Sequence, residues 1–227
     1  MGYKIDLGCG SNKREGCLGI DIQNIPGVDY VVDLRVEPLP FPDQSVDYVY
    51  SRHFFEHIAD PTPIFAEIGR VASSGAQLEF WNPYAFSGSA FIFDHKIFLN
   101  EEHYLHMCVK HVDFWKDILR SQWLLKEIRY IIEPAVLVDL QRNKHSLDFA
   151  IKYFKDVVLE FGVFIEVQRD YQGPILQPVR TWAVNEYSQP APIEMDKVVS
   201  PTGAVIKFLL SGQTSRKVVR RLKALLK

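Results

Sequence analysis

The stretch Ile5-Asp6-Leu7-Gly8-Cys9-Gly10, followed after Ser11–Leu18 by Gly19-Ile20-Asp21-Ile22, decides how this chain is read. Tyr3 to Leu7 is a short apolar-rich run that breaks directly into glycines, the pattern of a buried strand entering a tight turn. Leu18–Ile22 repeats the pattern and ends near Asp21, Tyr30–Val32 runs into Asp33, and Val46–Tyr50 runs into Ser51. Asp60 and Pro61 open a helical pattern carried by Ile64, Phe65, Ile68, Val71 and Ala72 and closed by Gly75; Ala76–Trp81 then reads as a fifth strand. Strands alternating with crossover segments predict a parallel sheet with helices on both faces, because parallel neighbours cannot be joined by a hairpin.

Working outward, Asn82–Met107 is aromatic- and histidine-rich without a clear period, and long inserts of this kind are often functional. Helices are predicted over Asp113–Ser121 and Leu147–Phe161, and strands over Leu124–Ile132, Val163–Val167 and Val179–Tyr187, the last two forming an antiparallel edge. The expected fold is α/β, a doubly wound, mostly parallel sheet with an antiparallel edge strand. One domain spans residues 1–195, with the insert at 82–111 near the site, and a basic segment follows at 196–227.

Composition sets limits on function. At 227 residues and 47% hydrophobic content the chain can bury a substantial core. It has no apolar run of the length that spans a membrane, and Met1–Asp6 lacks a signal-peptide apolar region, so a cytoplasmic protein is expected. Three cysteines, Cys9, Cys17 and Cys108, form no CxxC pair and suggest neither a disulfide framework nor a zinc knuckle. The net charge of −2 conceals an asymmetry: residues 197–227 hold eight basic side chains and no acid, leaving 18 basic against 28 acidic in the remainder. Val218, Val219, Leu222, Leu225 and Leu226 share one helical face of that segment. Three readings stay open for residues 213–227: packing on the body, contact with a membrane surface or anionic polymer, and contact with a protein partner. No nucleic-acid partner is expected.

In open α/β sheets ligands bind beyond the carboxyl ends of the strands. Asp6, Gly8, Gly10, Asp21, Asp33 and Ser51 therefore gather in one crevice. Glycines let the first loop approach a ligand, and a carboxylate after the second strand can accept both hydroxyls of a ribose, so a nucleoside ligand fits.

The glycine loop, Gly19-Ile20-Asp21-Ile22, Asp33-Leu34, Leu39-Pro40-Phe41-Pro42-Asp43-Gln44-Ser45-Val46-Asp47, Phe55-Glu56-His57-Ile58 and Glu67-Ile68-Gly69-Arg70-Val71 stand in an order that resembles class I S-adenosylmethionine-dependent methyltransferases of the type 11 kind. The resemblance covers roughly residues 3–81 and implies a Rossmann-like fold. The interval Ser11–Leu18 is too short for a full first helix, which is similar to a subgroup in which that helix is reduced. By resemblance, S-adenosylmethionine is the cofactor, held by Asp6, Gly8, Cys9, Gly10, Asp21, Ile22, Asp33, Leu34 and Ser51. Gly8–Gly10 would take its amino-acid end, Asp21 the ribose and Asp33 the adenine amino group, with Leu34 on the ring and Ser51 on the pocket floor.

The expected acceptor is a small molecule or glycan precursor, methylated at oxygen. His53, His57 and His95 are the candidate bases, since a histidine near neutral pKa can accept a proton; no required metal is expected. The alternatives are a non-catalytic S-adenosylmethionine-binding scaffold or regulator, and a peripheral membrane or anionic-polymer binder acting through the basic tail.

Overall fold

The computed structural model describes residues 2–194 and Lys197. Among the described residues, nine strands form one sheet: β1 (Tyr3–Leu7), β2 (Leu18–Asp21), β3 (Tyr30–Val31), β4 (Val46–Arg52), β5 (Ala72–Pro83), β6 (Gln122–Ile131), β7 (Glu160–Gln168), β8 (Val179–Ala183) and β9 (Ala191–Pro192). Their order is β3-β2-β1-β4-β5-β7-β6-β8-β9. Pairing is parallel from β3 through β5 and between β6 and β8. It is antiparallel where β7 lies between β5 and β6, and at the β8–β9 edge. This is the expected Rossmann-like sheet, and its order reverses at β1, so the carboxyl ends of β1 and β4 open a crevice.

The helices are α1 (Thr62–Val71), α2 (Glu101–Leu105), α3 (Val112–Leu119), α4 (Pro134–Arg142) and α5 (Leu147–Tyr153), with a π-helical turn at His106–Lys110. α1 forms where its apolar spacing predicts: Ile64, Phe65, Ile68 and Val71 are buried, and Asp60 Oδ1 accepts the Thr62 N–H at 3.0 Å. Buried side chains from each of these five helices, such as Ile68, Tyr104, Leu119, Leu137 and Ile151, join one apolar cluster with Ile5, Leu7, Ile20, Val49, Leu78, Phe80 and Val163 of the sheet. The opposite face holds a small strand-only cluster, Tyr50, Trp81, Ile131 and Ala183, with Tyr48 and Phe164 beside it. Helices on both faces were expected; among the described residues, turns replace them between β1, β2 and β3. The second face is instead covered by long polar side chains, such as Arg14 over the Tyr50 ring and Arg129 over that of Phe164.

One other expectation is corrected. The helix predicted to Phe161 ends at Tyr153, because Leu159 N–H pairs with Ile131 O (3.0 Å) and Tyr84 N–H with Leu159 O (3.1 Å), drawing this β-branched and aromatic run into the sheet. α4 was not anticipated; it opens on Pro134 and is held by burial of Leu137 and Leu140.

The end of α1 is fastened by Arg169, which follows β7. Its guanidinium donates to Gly69 O (2.7 Å), Ala72 O (2.7 Å) and Arg120 O (3.0 Å), placing a cation on carbonyls left unpaired at helix ends. We expect Arg169→Ala to lose about 2–3 kcal/mol. Thermal melts should then shift down by roughly 4–12 °C.

No helix among the described residues is long and apolar enough to cross a membrane. The basic amphipathic segment expected at 213–227 lies outside the described residues.

Candidate active site

β1 ends in a loop that only glycine can make. Gly8 has φ +65°, its N–H donates to Ile20 O at 2.8 Å, and a Cβ there would stand 2.4 Å from Cδ2 of Phe54. Gly10 also has positive φ, but a Cβ there would meet nothing within 4 Å, so this side of the loop is open. Asp21 braces the loop: its Oδ2 accepts the Gly10 N–H and its Oδ1 the Gln23 N–H, both at 2.9 Å. Asp6 is buried beside the loop and accepts the Arg14 N–H at 2.7 Å. Burial pushes its pKa up to about 6, outweighing the Arg14 N–H and the charges of Arg14 and Lys13. Burial and the nearby Asp6 and Asp21 carboxylates push the Cys9 thiol up to about 11, so it stays protonated.

A cleft of about 860 Å³ opens here. Its floor is Asp6, Gly8, Cys9 and the loop Asn12–Glu15; Tyr50, Arg52 and His53 come from the end of β4, and Glu186 and Tyr187 from beyond β8. Since Ser11–Cys17 forms turns only, the far wall is supplied by Glu186, a chain segment remote in sequence. Arg52 pairs with Glu186 and with Glu160 (2.9 Å), Tyr50 OH donates to Glu186 at 3.1 Å, and Arg14 lies 3.7 Å from the same carboxylate.

The structure brings Asp6, Gly8, Cys9, Gly10 and Asp21 together. Ser51 is buried beneath them, its hydroxyl donating to Leu7 O at 3.3 Å, but it does not line the cleft. Asp21, Ile22, Asp33 and Leu34 stand further along the strand ends, outside the cleft wall. Asp33 is engaged by its own loop: Arg35 donates to both oxygens, at 2.8 and 2.7 Å, and holds the carboxyl below its usual pKa. Ile22 is exposed, and Leu34 packs against the core.

Of the three histidines, only His53 borders the cleft. It has left-handed backbone, φ 53°, fixed by its N–H to Trp81 O at 3.0 Å, a strained state for a non-glycine residue. Its ring bridges Glu56 Oε1 (3.2 Å) and Glu160 Oε2 (2.9 Å). Burial opposes the charged ring, but the two carboxylates prevail and raise its pKa to about 9, so it is an imidazolium at neutral pH. His57 and His95 stand behind Glu56, with ring centroids 5.0 Å apart. His106 and His111 pack on each other and near Trp115, whose Nε1–H donates to His106, while His103 caps α2; the three serve local structure.

Arg14, Tyr50, Arg52, Glu160, Glu186 and Tyr187 were not anticipated. Nothing local marks them, because their roles arise from contacts across more than a hundred positions, as in Tyr50–Glu186.

The sequence model of a family described as a methyltransferase domain matches residues 5–80, the segment from β1 through most of β5. Residues 5–80 thus resemble a methyltransferase domain. The matched segment supplies the glycine loop, Asp6, Asp21 and His53, while the far wall of the cleft comes from outside it. Among curated proteins no relative matches. A solved S-adenosylmethionine-dependent methyltransferase from Archaeoglobus fulgidus is similar at 16% identity and TM-score 0.50, over 73% of this chain and 86% of that one. Another, from Aquifex aeolicus, is similar at 14% identity and TM-score 0.43, over 73% and 81%. At these identities the first shows a shared fold.

Proposed function

We propose that the methyltransferase domain binds S-adenosylmethionine across the glycine loop and methylates a hydroxyl oxygen of a polar small molecule or glycan precursor. The observation that carries this reading is a cleft within the usual volume of small-molecule sites, roughly 300–1,000 Å³, floored by the buried Asp6 and by Gly8 and Cys9 of the glycine loop, which Asp21 braces through the Gly10 N–H. These residues suit the cofactor: Asp6 offers negative charge to its ammonium and sulfonium groups, and Asp21 offers acceptors to a ribose diol. When bound, the cofactor supplies an activated methyl group on a sulfonium.

The chain's own part is then alignment. Arg52, His53, Glu186 and Tyr187 give the acceptor side a wall of donors and acceptors, which favours a hydroxyl-bearing substrate over an apolar one. His53, charged and held at both nitrogens, orients Glu56 and Glu160 and has neither an N–H nor a lone pair to spare at neutral pH; in this reading the acceptor oxygen takes the methyl group as the sulfur–methyl bond breaks, and its hydroxyl proton passes to water in the open cleft. His57 and His95 act on the cleft only through Glu56. Asp33 receives the adenine amino group while keeping its bond to Arg35, and Leu34 and Ile22 provide apolar contact. Titration calorimetry with S-adenosylmethionine and S-adenosylhomocysteine tests the proposal. Saturable binding of both is expected, and binding of neither overturns it.

Asp6 gives this binding a pH signature. Its pKa in the folded protein, about 6, exceeds the ordinary value of 3.8, so its contribution to stability is present at low pH and is lost as pH rises through 6. A cationic ligand favours the ionised form, so cofactor affinity should rise roughly ten-fold between pH 5 and pH 7. Asp6→Asn should flatten that dependence, weaken binding at pH 7 and raise the melting temperature of the free protein. A pH-independent affinity in the unaltered protein would remove Asp6 from the cofactor's contacts.

A further inference from the structure

Behind the cleft, Glu56 and His57 come from the one-turn helix Phe55–His57 after β4, and His95 comes from the insert. Each offers one ligand atom, and the three atoms lie within 4.8 Å of one another. The Glu56 side chain is only 2% exposed; Oε1 accepts from His53, and Oε2 is buried with no hydrogen-bond partner. A buried carboxylate oxygen left unpaired is costly, which calls for a cation or a donor at that position.

The histidines are oriented to supply the rest. His95, 4% exposed in its side chain, directs Nδ1 at Ala90 O (2.9 Å), an atom that only accepts, so the ring donates from Nδ1 and leaves Nε2 as the free lone pair. That Nε2 stands 4.0 Å from Glu56 Oε1. His57 likewise directs Nδ1 at Asp94, 3.3 Å from its carbonyl and 3.4 Å from its carboxylate, which again leaves Nε2. An imidazole that donates one nitrogen to a carbonyl or carboxylate while turning the other inward is the usual support of a metal ligand.

We propose that Glu56, His57 and His95 bind one divalent transition-metal ion of the zinc class. Two imidazoles and one carboxylate suit such ions, and three protein ligands leave a coordination position for water or substrate. Closing the ligand atoms onto bonds of about 2.0–2.2 Å needs a contraction of roughly 1 Å, which the half-exposed His57 ring can make. The ion fastens the insert to the turn after β4, and through the Glu56–His53 bond it adjoins the cleft wall. No required metal was expected from the sequence; the cluster that forms takes only His95 from the histidine-rich insert and draws Glu56 and His57 from the turn after β4. The inference does not depend on which cofactor the cleft binds.

Titration of the chelator-stripped full-length protein with Co²⁺, followed by visible d–d absorption, tests it. One equivalent should bind with saturable absorption, and Zn²⁺ should displace it. His57→Ala and Glu56→Gln should each weaken binding by about ten-fold or more. The double variant His103→Ala/His106→Ala should bind as the unaltered protein does. His57→Ala changes a half-exposed side chain, so it keeps the test valid if Glu56→Gln fails to fold. Absence of a saturable absorption, or equal affinity in His57→Ala, or loss only in the His103/His106 variant, would overturn the proposal.

Discussion

Gly8→Ala should eliminate detectable cofactor binding and lower stability by about 2–4 kcal/mol, the sum of strain in a left-handed alanine and of overpacking against a ring. The two contributions have separate origins. At φ +65° a Cβ is crowded by its own backbone, and in this fold it would also lie 2.4 Å from the Phe54 ring, far inside contact distance. Phe54 cannot withdraw easily, since it packs on Phe55 at 5.2 Å and precedes the turn carrying Glu56 and His57. The loop must therefore shift, which breaks the Gly8 N–H to Ile20 O bond and moves Gly10 away from Asp21. Thermal melts and calorimetry read the two losses independently. Gly10→Ala is the informative partner: it meets no atom within 4 Å, so its stability loss should be the smaller, about 1–2 kcal/mol of backbone strain, while binding is still impaired.

Asp21→Ala should reduce affinity for S-adenosylmethionine by ten- to a hundred-fold, the effect of removing a charged hydrogen-bond partner worth about 1.5–3 kcal/mol. The structure adds a second reason. Asp21 holds the Gly10 and Gln23 N–H groups, so its loss loosens the glycine loop as well as removing the acceptor proposed for the ribose. Asp21→Asn separates the two: the amide keeps one acceptor oxygen but turns its NH₂ toward a backbone N–H, so the loop should loosen and affinity should fall by an intermediate factor. Calorimetric titration of both variants at pH 7.5 measures this. An affinity unchanged in Asp21→Ala would place the ribose elsewhere and leave Asp21 as a loop brace alone.

The contact between Asp21 and Gly10 shows how local pattern and fold share the determination of this site. Residues 3–81 could be read in advance because each element there is announced by neighbours in sequence: apolar runs that end in glycine or aspartate, a proline at a helix start, apolar residues at helical spacing. Strand ends of a parallel sheet share one edge, so Asp6, Gly8, Gly10 and Asp21 had to converge once the strands were recognised. Where local preference and tertiary pairing disagreed, pairing prevailed. Glu160 and Phe161, at the end of the helix expected over Leu147–Phe161, join the sheet.

The sequence by itself thus determined the order of strands one to five, the glycine loop and the acids around it, because those depend on backbone geometry and burial within short segments. Only the tertiary structure decided which face of the sheet goes without helices, that Glu186 closes the cleft against Arg52 and Tyr50, that His53 is held charged between Glu56 and Glu160, and that His95 meets Glu56 and His57. Each of these pairs charged or titratable groups from distant parts of the chain. Their protonation and pairing follow from desolvation and distance, quantities that no single segment carries.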